Sequence, residues 1–147
     1  MNRTFRGFTL PEVLIVVAII SVIGVVVVTS YRALRTSGDA THAAFAYTDA
    51  LREAQQRALG MEYDSQWGVA INGQIITVFS GATYATRTTA RDHLYGLPSS
   101  VTTTGATSVV FAKYTGLPAS AATTTFSNTY DAATTTVSTG GAIGYTP

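Results

Sequence analysis

The chain contains no cysteine, so no disulfide staples it, and packing, hydrogen bonds or contacts with neighbours must hold it together. No proline stands between Pro11 and Pro98, so nothing in that span forces a helix to stop. Charge is absent from Val13 to Val28 (VLIVVAIISVIGVVVV). No A-x-A-like site closes that run, which continues into Thr29, Ser30, Tyr31 and Arg32. This excludes an ordinary secretory signal, whose cleavage site follows its apolar stretch. Lysine and arginine are absent from the 34 residues after Lys113, which speaks against a C-terminal surface that neutralises phosphates.

What is present is concentrated near the start. Met1 to Gly7 carries Arg3 and Arg6 and no acid, and basic residues ahead of an apolar span keep that end cytoplasmic. The small residue, Gly7, stands before the span, so a cut there removes the charges and leaves the apolar segment on the mature chain. A lone carboxylate, Glu12, follows at the mouth of the apolar run. An acid near the bilayer centre costs about 2.5–3.5 kcal/mol on insertion scales, and less toward the interface. The dipole of a helix N-terminus favours an acid there, but does not account for the whole run from Gly7 onward. Phe8 to Val28 matches the ~20 residues a spanning helix needs.

The run Gly7-Phe8-Thr9-Leu10-Pro11-Glu12 resembles the class III leader of type IV pilins and of the pseudopilins of type II secretion. The resemblance covers residues 3–30. It implies cleavage between Gly7 and Phe8 by a membrane aspartyl prepilin peptidase and N-methylation of the new Phe8 amine. It further implies assembly into a homo- or hetero-polymer of pilin subunits, served by an inner-membrane platform protein and an assembly ATPase. The family role carried to Glu12 is to pair with the Phe8 amine of a neighbouring subunit. Pro11 stands where the family usually has an aliphatic residue; the first helical turn tolerates proline. The implied itinerary is a single-pass precursor in the inner membrane, then a periplasmic or extracellular filament. No cofactor or metal is implied.

Beyond the apolar run, Tyr31, Arg32 and Arg35 form an interfacial collar. Within the run, Gly24 and the four valines after it are the weakest helical stretch. Ser37-Gly38-Asp39 either interrupts the helix or is absorbed by it. Ala44, Tyr47, Leu51, Ala54 and Ala58 then recur at spacings of three and four, an apolar stripe that predicts a helix packed on a sheet. Glu53 and Arg57 sit at i,i+4 in the favourable order, and Gly60 reads as a C′ stop.

After Gly60 the period becomes strand-like. Asn72-Gly73 between two β-rich runs predicts a hairpin. Ser108 to Tyr114 reads as a strand, and Val101 to Thr104 as a weaker one. Thr123–Ser127 and Thr134–Ser138 are expected to pair across 128–131, with Ala142 to Tyr145 as a last edge strand. The fold class is therefore α+β: a long N-terminal helix, transmembrane then amphipathic, packed on an antiparallel β domain. The division is 1–7 leader, 8–36 assembly helix, 37–60 amphipathic half and 61–147 β domain. Across residues 44–147 the order of these features is similar to the small GspH/FimT-type pilin-like domain.

Chemistry in the second half is sparse. His42 near Asp39 and Asp92-His93 lack the further ligands a metal site needs, and no nucleophile elbow accompanies them. Glu62 and Asp64 read as solvated loop charges. Arg87, Arg91 and Lys113, interleaved with Tyr84, Tyr95 and Tyr114, are the candidate contacts for single-stranded nucleic acid or glycans. Three charges neutralise few phosphates, and some FimT-like proteins that bind DNA use basic residues nearer the C-terminus. Loss of the leader removes two of nine basic side chains and leaves seven against eight acidic ones, with no bulk drive toward nucleic acid. Three readings emerge: a structural pilus or pseudopilus subunit, a minor tip pilin that binds DNA or a surface ligand, and a membrane-anchored hydrolase. The residues favour the first and give the third no active site.

Overall fold

The computed structural model describes residues 9–36 and 38–147, with the side chains of the first helix described as far as Val25. The chain divides into two units that meet at Arg35 and Thr36.

The first unit is helix α1, Leu10–Thr36. Thr9 caps it. Its carbonyl accepts the N–H groups of Glu12 (3.1 Å) and Val13 (3.2 Å), and its own N–H donates to Glu12 Oε2 at 3.4 Å. This is the return half of a T-x-x-E capping box. Pro11 lies in the first turn, where a missing N–H costs nothing. Leu10, Val13, Ile15, Ile20 and Val25 are all exposed, so the described part of α1 carries an uncovered apolar surface on all sides. Ser21 turns its hydroxyl back to the Val17 carbonyl (2.7 Å), which removes the one polar hydroxyl from that surface. The backbone remains helical across Gly24 to Val28. Among the described residues no helix is long and apolar enough to cross a membrane. The described side chains of α1 stop at Val25, however, while its backbone runs to Thr36 and the sequence stays apolar through Val28. The side chains of Tyr31, Arg32 and Arg35 lie outside the described residues.

The second unit opens with helix α2, Asp39–Leu59, with Gly38 as its N-cap. α1 ends at Thr36 and Asp39 already belongs to α2; Ser37 lies outside the described residues. The predicted stripe is buried in full, joined by Ala40, Ala43, Thr48 and Ala50. Gly60 does not stop the helix in the expected way. It keeps right-handed angles (φ −74°, ψ 0°), and the following Met61 takes the left-handed conformation (φ 52°, ψ 33°). Tyr63 (φ 57°) and Asp64 (φ 53°) follow it. Left-handed backbone costs a non-glycine residue roughly 1–2 kcal/mol.

Eight strands follow: β1 Trp67–Asn72, β2 Ile75–Ser80, β3 His93–Gly96, β4 Thr102–Gly105, β5 Ser108–Phe111, β6 Ala122–Ser127, β7 Ala132–Val137 and β8 Ile143–Thr146. They form two four-stranded antiparallel sheets, ordered β3-β2-β1-β5 and β4-β6-β7-β8. The β1–β2 hairpin forms, but its turn lies one residue later than Asn-Gly suggests. Asn72 pairs with Ile75, leaving Gly73 and Gln74 in the turn. Only Gly73 has positive φ (59°), the arrangement of a II′ turn with glycine first. The strand expected over 108–114 ends at Phe111, because the chain turns back through Tyr114 (φ 69°) and Gly116 (φ 59°). The β6–β7 hairpin and the edge strand β8 form as expected.

Helix α2 lies against both sheets. Trp67, Val69, Ile76, Val78 and Phe111 meet it from the first sheet, and Phe126, Ala133 and Val137 from the second. Buried threonines are satisfied locally: Thr48 donates to the Ala44 carbonyl (2.8 Å) and faces Thr135 across 3.2 Å. The Tyr47 hydroxyl, like Ser80 Oγ and Asp92 Oδ1, is buried without a hydrogen-bond partner of good geometry; burial pushes its pKa up, and the nearby Thr124 side chain acts in the opposite direction. An unmet buried hydroxyl costs about 1–3 kcal/mol. Tyr47→Phe should therefore hold or raise the thermal midpoint, and a fall of several degrees in a calorimetric scan would show that the hydroxyl is bonded.

Candidate functional site

The structure treats the two sets of singled-out residues differently. Gly7 and Phe8 lie outside the described residues. Glu12 is exposed, and among the described side chains of α1 it is the sole charge. Its carboxylate reaches back to the Thr9 N–H, one peptide unit beyond Phe8. Thr9 is the residue the sequence reading passed over, although the T-x-x-E spacing was there to be read.

Arg87, Arg91 and Lys113 do not converge. Arg87 Nε donates to Asp92 Oδ2 at 2.8 Å, its guanidinium donates to the Tyr84 carbonyl (2.7 Å), and its centre lies 3.8 Å over the Tyr84 ring. Lys113 Nζ donates to Asp64 Oδ1 at 2.9 Å. These carboxylates hold both cations above their ordinary pKa values, chiefly through the hydrogen bond. Arg91 stacks 3.8 Å over Tyr63. Arg91 and Lys113 thus meet the same left-handed turn, Met61 to Asp64, while Arg87 belongs to the loop before β3.

Residues 2–28 match the model of the prokaryotic N-terminal methylation motif. The fold matches the minor pseudopilin EpsH from the type 2 secretion system of Vibrio cholerae, with a TM-score of 0.56 and 12% identity over 74% of this chain and 96% of that one. No curated protein sequence matches the chain. The start of the chain therefore carries a prokaryotic N-terminal methylation motif, and its fold is similar to that of a minor pseudopilin.

Asp39 accepts from the Ser100 hydroxyl rather than pairing with His42. His93 turns away from Asp92, which is held by Arg87, and contacts Glu53 (3.1 Å) and Arg57 (3.3 Å). Among the described residues no group of three or more histidines or acids could hold a metal ion. The Glu53 carboxylate is instead the hub of a surface network. Arg57 binds it at 2.8 Å, as the i,i+4 spacing implies, and the Tyr95 hydroxyl donates to it at 2.6 Å. Arg57 also reaches Glu62 (3.1 Å) and covers the Trp67 ring at 4.7 Å. This network ties β3 and the strained turn to α2; no single sequence window contains it.

The hydrogen bond to Glu53 holds the Tyr95 phenol above its ordinary pKa, with desolvation and the Glu53 charge adding to it. A folded-state pKa raised above the unfolded value contributes stability that is present below pH ~10 and lost as pH rises through the folded value. Glu53→Gln should bring the Tyr95 titration, followed by NMR, back toward the ordinary tyrosine value. An unchanged midpoint would mean that the 2.6 Å contact is not formed in solution.

Proposed function

We propose that this pilin-like chain is a structural subunit of a type IV pilus or a type II secretion pseudopilus, cleaved between Gly7 and Phe8 and polymerised through α1. The observation that carries the reading is Glu12: a single carboxylate in a rod of exposed apolar side chains, turned toward the backbone beside the scissile bond. Hydrolysis of the Gly7–Phe8 bond by the prepilin peptidase frees an amine next to Thr9. That amine, methylated and still cationic, finds its counter-charge in Glu12 of a neighbouring subunit. Before assembly, Phe8 to Val28 holds the subunit in the inner membrane, at about 1.5 Å per residue enough for the ~30 Å hydrocarbon core.

Polymerisation driven by the assembly ATPase and the platform protein then moves α1 from lipid into a bundle of like helices. Its apolar surface stays dry throughout, which avoids the ~25 cal/mol per Å² cost of exposing it to water. The pair between Glu12 and the amine selects register, since stranding one charge of a buried pair costs about 3–5 kcal/mol. Residues 1–7 are the leader, 8–36 the assembly helix, 37–60 the amphipathic half and 61–147 the β domain that coats the filament in the periplasm or outside the cell.

The second reading, a minor tip pilin that binds DNA or a surface ligand, would draw on Arg87, Arg91 and Lys113. Two of these are held by Asp92 and Asp64, so the structural reading takes precedence. Gly7→Leu should leave an uncleaved precursor in the membrane fraction, visible as retained leader mass. Glu12→Ala should be cleaved normally, with filament yield in the sheared fraction reduced about ten-fold or more, given the cost of a stranded charge. Wild-type filament levels from that variant would remove the role given to the carboxylate.

A further inference from the structure

Of the two asparagines among the described residues, the fold holds one and leaves the other free. Asn128 is followed by the β-branched Thr129, and its side-chain oxygen accepts from the Tyr130 and Asp131 N–H groups, both at 2.8 Å. Asn72 ends β1 at the tip of the first hairpin, is exposed, and is followed by Gly73. Among the described residues neither its side-chain amide nor the Gly73 N–H has a hydrogen-bond partner.

The one-residue slip of the turn produces this arrangement. The Ile71 N–H donates to the Thr107 carbonyl at 2.7 Å, on the β5 side. Antiparallel bonds alternate from residue to residue, so the main-chain groups of Asn72 face β2 and close the hairpin on Ile75. The main chain of Asn72 is thus used, and its side chain is not. Gln74, by contrast, is pinned twice. Its carbonyl accepts from the Leu97 N–H at 2.8 Å, and its side-chain amide donates to the Val101 carbonyl at 3.4 Å. Between them Gly73 has positive φ (59°), with no heavy atom within 4 Å of where a Cβ would stand.

We propose that Asn72 is a site of spontaneous covalent modification, in which its side chain closes on the Gly73 nitrogen and water opens the ring to aspartate and isoaspartate. Hydroxide takes the Gly73 amide proton and becomes water. The Gly73 nitrogen then attacks Asn72 Cγ and forms a C–N bond; the bond from Cγ to the side-chain nitrogen breaks, and that nitrogen takes up a proton from water and leaves as ammonia. Water next adds to the five-membered imide and breaks one of its two C–N bonds. Cleavage at Cγ gives aspartate with the backbone unchanged. Cleavage at the Asn72 carbonyl carbon leaves the chain running through Cβ and Cγ, which is isoaspartate, longer by one methylene.

Glycine matters here because no Cβ shields the attacking nitrogen. Ring closure requires the end of β1 to leave its extended conformation, so the last rung, Asn72 with Ile75, opens first; strand ends open at little cost. Asn128 would have to give up two bonds and reach a nitrogen beside a branched side chain, so it is spared. Each conversion adds one carboxylate. After loss of the leader, seven basic side chains against eight acidic ones become seven against nine, and the charge of this hairpin tip records the age of the molecule. The chemistry is independent of polymerisation through α1.

The test is to hold the full chain in micelles at physiological temperature and mildly alkaline pH for several weeks, and to digest samples with trypsin at intervals. The fragment Ala58–Arg87 holds Asn72 as its one asparagine, and Tyr114–Pro147 holds Asn128. The first should gain one mass unit and separate into two products of equal mass, at a rate that rises in proportion to hydroxide, while the second stays unchanged. Gly73→Ala should slow the gain about ten-fold. Asn72→Gln should abolish it, and since that variant keeps glycine in the turn, it guards against misfolding of the other. An unchanged mass for Ala58–Arg87, a gain that persists in Asn72→Gln, or conversion of Asn128 as fast as that of Asn72 would each overturn the proposal.

Discussion

One helix face holds the second unit together. Ala40, Ala43, Ala44, Ala50, Ala54 and Ala58 give α2 a buried surface with almost no side-chain relief. A face of that kind lets backbone approach backbone, so a single helix can lie against two sheets at once. The bulk that fills the space comes from the sheets: Trp67 and Phe111 on one side, Phe126 on the other. Tyr47 is the one large buried ring that α2 contributes, and it meets Phe126 at 5.4 Å. Interiors packed at crystal density do not forgive a change in this division of volume. Without a disulfide, this layer carries what a covalent staple carries elsewhere.

Carboxylates organise the polar surface of this unit, and the cations follow them. Glu53 gathers Arg57, His93 and Tyr95; Asp92 takes Arg87, and Asp64 takes Lys113. The exposed Lys113–Asp64 pair contributes little to stability, about 0–1 kcal/mol, while Glu53–Arg57 and Asp92–Arg87 are half-buried. Their effect is to fix loops: the turn from Met61 to Asp64 keeps three non-glycine residues in left-handed backbone while Arg57, Arg91 and Lys113 press on it. Glu12 stands apart: among the described side chains of α1 it is the sole charge.

The features legible in the sequence were those that depend on short-range pattern. The alanine and leucine stripe of α2, the Glu53–Arg57 spacing, the β6–β7 hairpin and the leader motif each occupy one window of the chain. The errors fell where distant contacts decide the outcome. Gly60 reads as a C′ residue, yet the left-handed position passes to Met61. There the Ala58 carbonyl is shared between the Met61 N–H and the Tyr114 N–H, from a turn more than fifty residues away. Ser108 to Tyr114 reads as one strand by composition, but the Gly116 turn folds it back after Phe111. The Asn-Gly turn slipped by one residue because cross-strand pairing, with Ile71 opposite Ile76, sets the register ahead of the turn dipeptide.

Local chemistry, written residue by residue, settled the character of the two units: a long uncharged apolar run with a carboxylate at its mouth, and a threonine-rich β surface with an amphipathic helix beside it. Periodicity and cost in lipid act over neighbours a few positions apart, and so they survive in one dimension. Only the folded chain decided that the strands divide between two sheets and that His93 leaves Asp92 for Glu53. Each of these depends on which distant backbone or side chain arrives first in a shared space, and sequence order holds no record of that competition.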